Sequence, residues 1–189
     1  MADIIRIAKP TADAIERSQM VAKSGIDVAA KRVESTPTDG AIGSLATIAA
    51  IRYAVFVDEQ GVDASLEYDD HDHAPTTTHL VAYDGDEPVG AARLRVVSDD
   101  RDPHGDPQKP TPLGKIERVA VLESRRNEGI GRALMERLES IARSQSVDRI
   151  RLHAQRQAAG FYRQLGYRQV GTPFKEAGIP HIAMEKEGE

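Results

Sequence analysis

The sequence has no cysteine and no tryptophan, and only 4% of its 189 residues are aromatic. Without cysteine, the chain cannot form disulfides, bind metals through thiolates or use a thiol as a nucleophile. No apolar run reaches the 18 or so residues that cross a bilayer. The first residues lack the basic end and the long apolar stretch of a secretory signal. We therefore expect a cytoplasmic protein with no membrane association.

A basic excess is also missing, because 30 acidic residues stand against 25 basic ones and the net charge is −5. Nucleic-acid binding needs a basic surface, so we expect no nucleic-acid partner. The length is enough for one substantial hydrophobic core. We expect a main domain over residues 27–189, preceded by an appendage over residues 1–26 that contains a short strand and a helix with a thin apolar face.

The hydrophobic pattern predicts the order of elements along the chain. Strands are predicted over 4–7, 28–34, 78–83, 88–97, 113–122, 149–154, 167–172 and 181–186, and helices over 11–24, 44–57, 128–144 and 157–165. Asp84-Gly85-Asp86-Glu87 is typical of a hairpin turn. Residues 98–112 contain four prolines and are expected to form a long loop. This order predicts an α/β (α+β) fold with a mixed sheet and helices on both faces.

The helix predicted over 128–144 has an apolar face for the core and charged pairs on the other side. Arg132 with Glu136, and Glu139 with Arg143, are each four residues apart. Such a spacing brings side chains together on the surface of a helix. Both pairs are therefore expected to face solvent.

The most informative segment is Arg125-Arg126-Asn127-Glu128-Gly129-Ile130-Gly131-Arg132-Ala133, between a strand and an amphipathic helix. Gly129 and Gly131 lack side chains, so a pyrophosphate can approach the backbone. The free N–H groups of the first helical turn and the helix dipole favour an anion there. Arg126 and Arg132 add donors and charge. Close helix packing is the alternative explanation for the two glycines.

Three segments together resemble the GNAT family of N-acetyltransferases. Arg126-x-x-Gly129-x-Gly131 resembles the family's Gln/Arg-x-x-Gly-x-Gly/Ala motif, Ile116–Val121 its fourth strand, and Phe161–Tyr167 its Phe-Tyr-x-x-Leu-Gly-Phe segment. Three matches in the right order are more specific than any one of them. The resemblance extends from about residue 27 to residue 186 and is greatest with small members of unassigned substrate. It implies a GNAT-type mixed, mostly antiparallel sheet flanked by helices on both faces.

The resemblance also implies that acetyl-CoA is the donor substrate. Backbone groups of Val119 and Val121, on either side of Ala120, would hydrogen-bond the pantetheine arm. The pyrophosphate would be held by the amides of the following turn, which comprises Arg126, Asn127, Glu128, Gly129, Ile130, Gly131 and Arg132. Gln155 stands where an asparagine is often seen and would contact the pantetheine or the acceptor. Tyr162 matches the tyrosine that protonates the leaving thiolate, a role that a phenol can fill; alternatively, it is a packing residue.

An acceptor amine must be deprotonated before it attacks, so a general base is expected near the sheet. Glu117 is the leading candidate, because it lies in the strand expected to hold acetyl-CoA and shares a face with Val119 and Val121 by the two-residue alternation of a strand. Alternatively, Glu117 is an ion-pair partner of Arg93 or Arg118.

The acceptor side is less specific. Glu59, Glu67, Asp69, Asp70 and Asp72 form an acidic set that is either an ordinary solvated loop or a negative rim for a cationic amine. The candidate substrate-binding residues are Phe56, Glu59, Glu67, Arg93 and His181. His153 is expected to be a structural residue in or beside the sheet. The histidines near the aspartates lack the spacing of metal ligands, so we expect no metal.

Other functions stay open. A spaced polar set resembles that of acyl-homoserine-lactone synthases: Arg52, Phe56, Glu67, Asp69 or Asp70, Asp72, Arg93 and Glu117-Arg118. The glycine turn and the absence of tryptophan argue against such an enzyme. The other alternative is a non-catalytic CoA-sensing module. The acceptor, a small-molecule amine or a peptide, is not identified by the sequence, and a homodimer through the N-terminal segment or the terminal strands is compatible with it.

Overall fold

The computed structural model describes residues 4–8, 39–74, 76–99 and 111–187, with residues 4–8 and 39–44 as backbone only. The described strands are β1 (Ile4–Ala8), β2 (Thr77–Asp84), β3 (Glu87–Ser98), β4 (Pro112–Val121), β5 (Arg149–Gln155), β6 (Arg168–Glu176) and β7 (Ile179–Glu187). The α-helices are α1 (Asp39–Arg52), α2 (Ile130–Ser144) and α3 (Ala159–Gln164). None of these helices has both the length and the apolar character of a membrane span.

The described strands form a seven-stranded sheet in the order β1-β2-β3-β4-β5-β7-β6. β1 is antiparallel to β2, β7 is antiparallel to both β5 and β6, and β4 is parallel to β5. The predicted mixed, mostly antiparallel sheet is thus confirmed, and every element predicted between residues 78 and 186 is present in the predicted order. The predicted helix over 11–24, the predicted strand over 28–34 and most of the predicted loop over 98–112 lie outside the described residues.

The chain divides into two compact units, Met1–Arg93 with Arg118–Arg137, and Leu94–Glu117 with Leu138–Glu189. In the first unit, the apolar stripe of α1 packs on Ala91 of β3 within one buried cluster. The preceding residue, Gly90, faces Ile130 and Leu134 of α2. Because successive residues of a strand point to opposite faces, α1 and α2 lie on opposite faces of β3. The prediction of helices on both faces is confirmed within this unit.

The helix predicted over 44–57 begins earlier and ends later than expected. α1 continues as a π-helix, Tyr53–Glu59. It ends at Gly61, whose φ of +68° suits glycine, with hydrogen bonds from the Gly61 N–H to the Val57 carbonyl at 3.0 Å and from the Val62 N–H to the Phe56 carbonyl at 2.9 Å. The wide helical turns place Phe56 against the buried cluster of the first unit.

In the second unit, one face of the sheet is joined to α2 through Glu139. The Tyr167 hydroxyl donates to Glu139 Oε1 at 3.0 Å, and Lys186 Nζ donates to Glu139 Oε2 at 2.7 Å. The expectation that Glu139 faces solvent beside Arg143 is therefore wrong, because residues far along the chain bury it. The other expected pair, Arg132 with Glu136, is confirmed at 3.6 Å.

Gly90 offers a test of the packing between β3 and α2. A Cβ added there would lie 3.0 Å from Ile130 Cγ2 and 3.1 Å from the Ala120 carbonyl oxygen. We expect Gly90→Ala to lower the free energy of unfolding by about 1–3 kcal/mol, the usual cost of overpacking, as measured by urea denaturation. Gly160→Ala in α3 is the control, because a Cβ there meets nothing within 4 Å and alanine favours a helix. Equal stability of the two variants would contradict the packing described here.

Candidate active site

The turn before α2 contains two residues in the left-handed backbone region. Asn127 and Gly129 have φ values of +66° and +87°. A Cβ added at Gly129 would meet nothing within 4 Å, so the backbone conformation, and not close packing, requires glycine here. α2 begins at the next residue and runs for 15 residues, so the dipole and the free N–H groups of a long helix face this open space. The packing explanation for Gly129 is therefore wrong.

The arginines of this turn are already engaged by acidic side chains. Arg126 donates to both carboxylate oxygens of Glu59, at 2.7 and 2.5 Å, and its Nε donates to the Val121 carbonyl at 3.1 Å. The hydrogen bond to Arg126 holds the pKa of Glu59 below its usual range. The predicted substrate-binding residue Glu59 thus lies beside the predicted donor-binding residue Arg126.

The charge of Arg125 is also neutralised by carboxylates of the protein. It forms ion pairs with Asp84, with Glu87 at 3.2 Å and with Glu128 at 3.1 Å. Arg132 lies 3.6 Å from Glu136. Because these cations are all paired, the capacity of the turn to bind an anion depends mainly on its backbone amides.

β4 is interrupted at Arg118. Its first half pairs with β5, from Leu113 opposite Arg149 to Ile116 opposite Leu152. Arg118 then has a φ of +55°, in the left-handed region that non-glycine residues seldom adopt. Such a residue breaks the two-residue alternation of a strand. The expectation that Glu117 shares a face with Val119 and Val121 rested on that alternation and loses its basis.

A buried ion network lies in the first unit. Arg52 donates to Glu67 and, through Nη1 at 2.7 Å, to Asp72. Arg93 donates to the same Asp72 oxygen at 2.7 Å and to both oxygens of Asp69 at 2.7 and 2.9 Å. Arg118 completes the network by donating to the carbonyls of Leu66 at 3.0 Å and Glu67 at 3.3 Å.

This network changes the interpretation of the acidic set. Glu67, Asp72 and Arg93 are each no more than 2% exposed, so the expectation of a solvated loop is wrong for Glu67 and Asp72. Burial by itself would raise the pKa of Asp72, but ion pairs with Arg52 and Arg93 hold it well below its usual range. These carboxylates neutralise buried guanidinium groups. Glu67 and Arg93, which were predicted to bind substrate, are both engaged in these ion pairs.

His79 is buried against the network in its neutral form. Its Nε2 lies 3.2 Å from the Asp72 carbonyl oxygen, and burial lowers its pKa to about 4. Among the residues that the structure describes, its buried Nδ1 has no hydrogen-bond partner. Within residues 45–74, 76–99 and 111–187, no group of three or more potential ligands could hold a metal ion.

Glu117, the predicted base, forms an ion pair that the sequence did not predict. Arg95 donates to both of its carboxylate oxygens at 2.8 Å, and Lys115 Nζ lies 3.6 Å away. The expected alternatives were Arg93 and Arg118, which bind residues of the network. A bidentate guanidinium stabilises the carboxylate as an anion and so weakens it as a proton acceptor.

Tyr162, the predicted acid, lies in α3 and is buried. Its ring makes edge contacts with Phe161 and Tyr167, with centroids 4.9 and 6.0 Å apart. Burial raises its pKa to about 12, so the phenol keeps its proton at neutral pH. Within the described part of the chain, no hydrogen bond to the Tyr162 hydroxyl is found. Gln155 ends β5, and its Oε1 accepts from Gln157 at 3.0 Å.

Apart from His181, a predicted substrate-binding residue, the members of a group on β5, β6 and β7 were not predicted as a site. His153 Nδ1 lies 2.8 Å from Glu176 Oε2, and its ring contacts Phe174 edge-on at 4.8 Å. Phe174 also stacks on His181, with centroids 6.1 Å apart. Strand alternation was the signal available in the sequence: Leu152 and Ala154 are apolar, so His153 between them points away from the core.

The predicted residues fall into two sets according to unit. Val119, Ala120, Val121 and the turn residues 126–132 lie in the first unit, as do Phe56, Glu59, Glu67 and Arg93. Glu117, Gln155, Tyr162 and His181 lie in the second. Register places Gln155 opposite His181, so these two predicted residues are brought together.

Comparison with known proteins gives the same family at the level of sequence and fold. A family model described as an acetyltransferase (GNAT) domain matches residues 36–188. A Bacillus subtilis relative assigned by name to the acetyltransferases is 41% identical over 145 residues, 76% of this chain and 89% of that protein. The structure of an acyl-CoA N-acyltransferase from Pseudomonas aeruginosa is 30% identical, with a TM-score of 0.57 over 72% of this chain and 85% of that one. An aminoglycoside 6'-N-acetyltransferase in complex with coenzyme A, 20% identical, shares the fold with a TM-score of 0.53 over 75% of this chain and 90% of that one.

The neutral, buried His79 predicts a dependence of stability on pH. Its pKa falls from 6.5 to about 4 on folding, so the unfolded chain takes up a proton first as the pH falls from 6.5 towards 4, and stability is lost over that window. We expect His79 to account for a loss of about 2 kcal/mol in the free energy of unfolding between pH 7 and pH 5.

Urea denaturation of His79→Gln at both pH values tests this expectation. The variant should lose less stability than the wild type over this window, whereas His71→Gln, at an exposed position, should lose as much as the wild type. Asp69 and Asp72, whose pKa values are lowered in the folded protein, act at lower pH, because their contribution is lost only below their unfolded pKa of about 4. An unchanged pH dependence in His79→Gln would show that His79 is not buried in its neutral form.

Proposed function

The chain belongs to the GNAT acetyltransferase family and is an N-acyltransferase, and we propose that it transfers an acetyl group directly from acetyl-CoA to an amine. The observation that carries the choice of donor is the turn before α2. Its left-handed Gly129 lies in open space at the start of a 15-residue helix. A pyrophosphate is the part of coenzyme A that such a turn suits.

The residues of the first unit fit this donor. The amides of residues 126–132 would hold the pyrophosphate, and the backbone of Val119 and Val121 would hydrogen-bond the pantetheine arm. Arg126 donates to both the Val121 carbonyl and Glu59, and it therefore helps to hold the end of this backbone segment in place. Gln155, at the end of β5, is proposed to contact the pantetheine or the acceptor.

The transfer needs a proton donor for the leaving group. The acceptor nitrogen attacks the thioester carbonyl carbon with its lone pair, and the C–S bond breaks with its electron pair going to sulfur. Tyr162 gives its phenolic proton to that thiolate and regains a proton, through solvent, from the excess on the attacking nitrogen. Its raised pKa keeps the proton available, and a thiolate formed in equally desolvated surroundings is a stronger base than in water.

The proton acceptor for the amine is less evident. Glu117 can take a proton only if its bidentate pair with Arg95 opens, so it remains a hypothesis as a base. Glu67 and Arg93 are buried in the ion network, and we do not propose that they touch the acceptor. His181, half-buried at the start of β7, remains a proposed acceptor contact.

The alternative functions have no specific support. The spacing of six charged residues suggested a lactone synthase. The structure accounts for these residues as an internally neutralised network, which comprises Arg52, Glu67, Asp69, Asp72, Arg93 and Arg118. Glu117 is paired with Arg95. We therefore propose no second function from this set.

Replacement of Gly129 tests the donor site. We expect Gly129→Ala to weaken acetyl-CoA binding about tenfold or more in isothermal titration, because a side chain disfavours the left-handed backbone that points the amides at the anion. Gly85→Ala is the matched control: Gly85 also has a positive φ and open space around it, but lies in the β2–β3 hairpin. It should cost similar stability and leave the affinity unchanged. If the wild type does not bind acetyl-CoA at micromolar concentration, the proposed donor is wrong.

Replacement of Tyr162 tests the chemistry. A thiol-release assay over a panel of alkylamines, amino acids, aminoglycosides and lysine peptides should first identify an acceptor. With that acceptor, we expect Tyr162→Phe to lower kcat about a hundredfold, as loss of a general acid does, with little change in acetyl-CoA affinity. Tyr167→Phe is the control, because it removes the hydroxyl that donates to Glu139 and should lower stability by about 1 kcal/mol but not turnover. Full activity of Tyr162→Phe would exclude the proposed role.

A further inference from the structure

The residues found on β5, β6 and β7 share one face of the sheet in the second unit. Register pairs His153 with Ala183 and Gln155 with His181 across β5 and β7, and Phe174 with His181 across β6 and β7. Directly paired residues point to the same side, so the side chains of His153, His181 and Phe174 lie together. We call His153, Phe174, Glu176 and His181 the histidine cluster.

This face is opposite to the one that carries α2. Lys186, paired with Ile150, reaches Glu139 of α2, and its face therefore alternates with that of His153. His153 is the exposed member of an otherwise alternating strand, with 36% of its side chain accessible. The cluster thus presents a polar surface on a face that is not used for packing against α2.

His153 and Glu176 have the geometry of a carboxylate–imidazole pair. Glu176 Oε2 lies 2.8 Å from Nδ1 of His153, and a carboxylate accepts hydrogen bonds but does not donate them. The proton of a neutral imidazole is therefore held on Nδ1. The other ring nitrogen, Nε2, then has a free lone pair, and among the described residues no hydrogen bond to it is found.

The position of His153 along β5 also matters. The pairing of β4 with β5 ends at Ile116 and Leu152, and the next residues are Glu117 and His153. Glu117 is held by Arg95, and Arg151 on the same strand is held by Glu185. His181, on β7, turns its Nδ1 to the Ile179 carbonyl at 2.8 Å. Nε2 of His153 and Nε2 of His181 are both uncommitted proton-accepting atoms, but in the described part of the chain His153 is the one of these two imidazoles that is paired with a carboxylate.

We propose, building on the acetyl transfer proposed above, that His153 is the general base for the acceptor amine and that Glu176 positions it. The protonated amine gives one proton to Nε2 of His153, which becomes an imidazolium paired with Glu176. The neutral nitrogen then attacks the thioester carbon as the C–S bond breaks, and Tyr162 protonates the leaving thiolate. The extra proton on the new amide nitrogen passes through solvent to Tyr162, and the imidazolium returns its own proton to solvent.

The cluster also indicates the class of acceptor. Phe174 presents its ring between two imidazoles, at 4.8 and 6.1 Å, and Glu176 adds a negative charge that is 46% exposed. An aromatic face next to a carboxylate attracts an ammonium group. The acceptor class that fits the cluster is therefore an amine that arrives as a cation.

The tautomer of His153 can be measured without any substrate. We expect long-range ¹H–¹⁵N spectra, at a pH where the ring is neutral, to show the proton on Nδ1 in the wild type and a shift of the population towards Nε2–H in Glu176→Leu. Glu176→Gln, whose amide can donate to Nδ1 as well as accept from it, should give a population between those of the wild type and Glu176→Leu. A predominantly Nε2–H ring in the wild type would overturn the proposal, because the atom that accepts the proton would be occupied.

Kinetics with two acceptors separates catalysis from structure. His153→Gln should lower kcat/KM about a hundredfold for the best alkylamine of the panel, which is protonated at neutral pH. It should lower the value little for hydroxylamine, which is largely unprotonated and needs no base. The KM for acetyl-CoA should not change, and His71→Gln should behave as the wild type.

The outcomes are distinguishable from those of the proposed function. An equal loss with both acceptors, or no loss with either, would overturn the assignment of His153 as a base. If the wild type binds acetyl-CoA but acetylates no amine, the proposed function fails, whereas the tautomer measurement still decides the geometry of His153 and Glu176.

Discussion

The sharing of Asp72 by two buried arginines is the constraint on which the first unit depends. Arg52 comes from the end of α1 and Arg93 from β3, and each donates to the same carboxylate oxygen at 2.7 Å. Two guanidinium groups this deeply buried are tolerable only when they are paired, and loss of one partner of such a pair costs about 3–5 kcal/mol. The segment around Asp72 is therefore held between a helix and a strand.

The same network reaches the backbone that we propose for donor binding. Arg118, at the interruption of β4, donates to the carbonyls of Leu66 and Glu67, so the segment fixed by Asp72 also holds the left-handed residue of the strand. Val119 to Val121 follow directly. A backbone that must present hydrogen-bonding groups in a fixed direction gains from such support, because a shift of about 1 Å can cost a hundredfold in rate.

The turn before α2 and the histidine cluster differ in how their charges are arranged. At the turn, the charges of Arg125 and Arg126 are cancelled by neighbouring carboxylates, so the anion that we propose to bind there would rely on oriented backbone amides. At the cluster, Glu176 is paired with an imidazole that can gain and lose a proton. The first arrangement suits binding, and the second suits proton transfer.

The sequence by itself determined the element order, the mixed sheet and the glycine turn, because these depend on local periodicity and on the backbone freedom of Gly129. Tertiary structure decided the partners of charged side chains. Glu139 was expected beside Arg143 on a helix surface and is bound by Tyr167 and Lys186 from later elements. Glu117 forms an ion pair with Arg95, which the neighbouring strand brings beside it. Such pairings join residues far apart in the chain, and no local pattern predicts which of many possible partners the fold brings within reach.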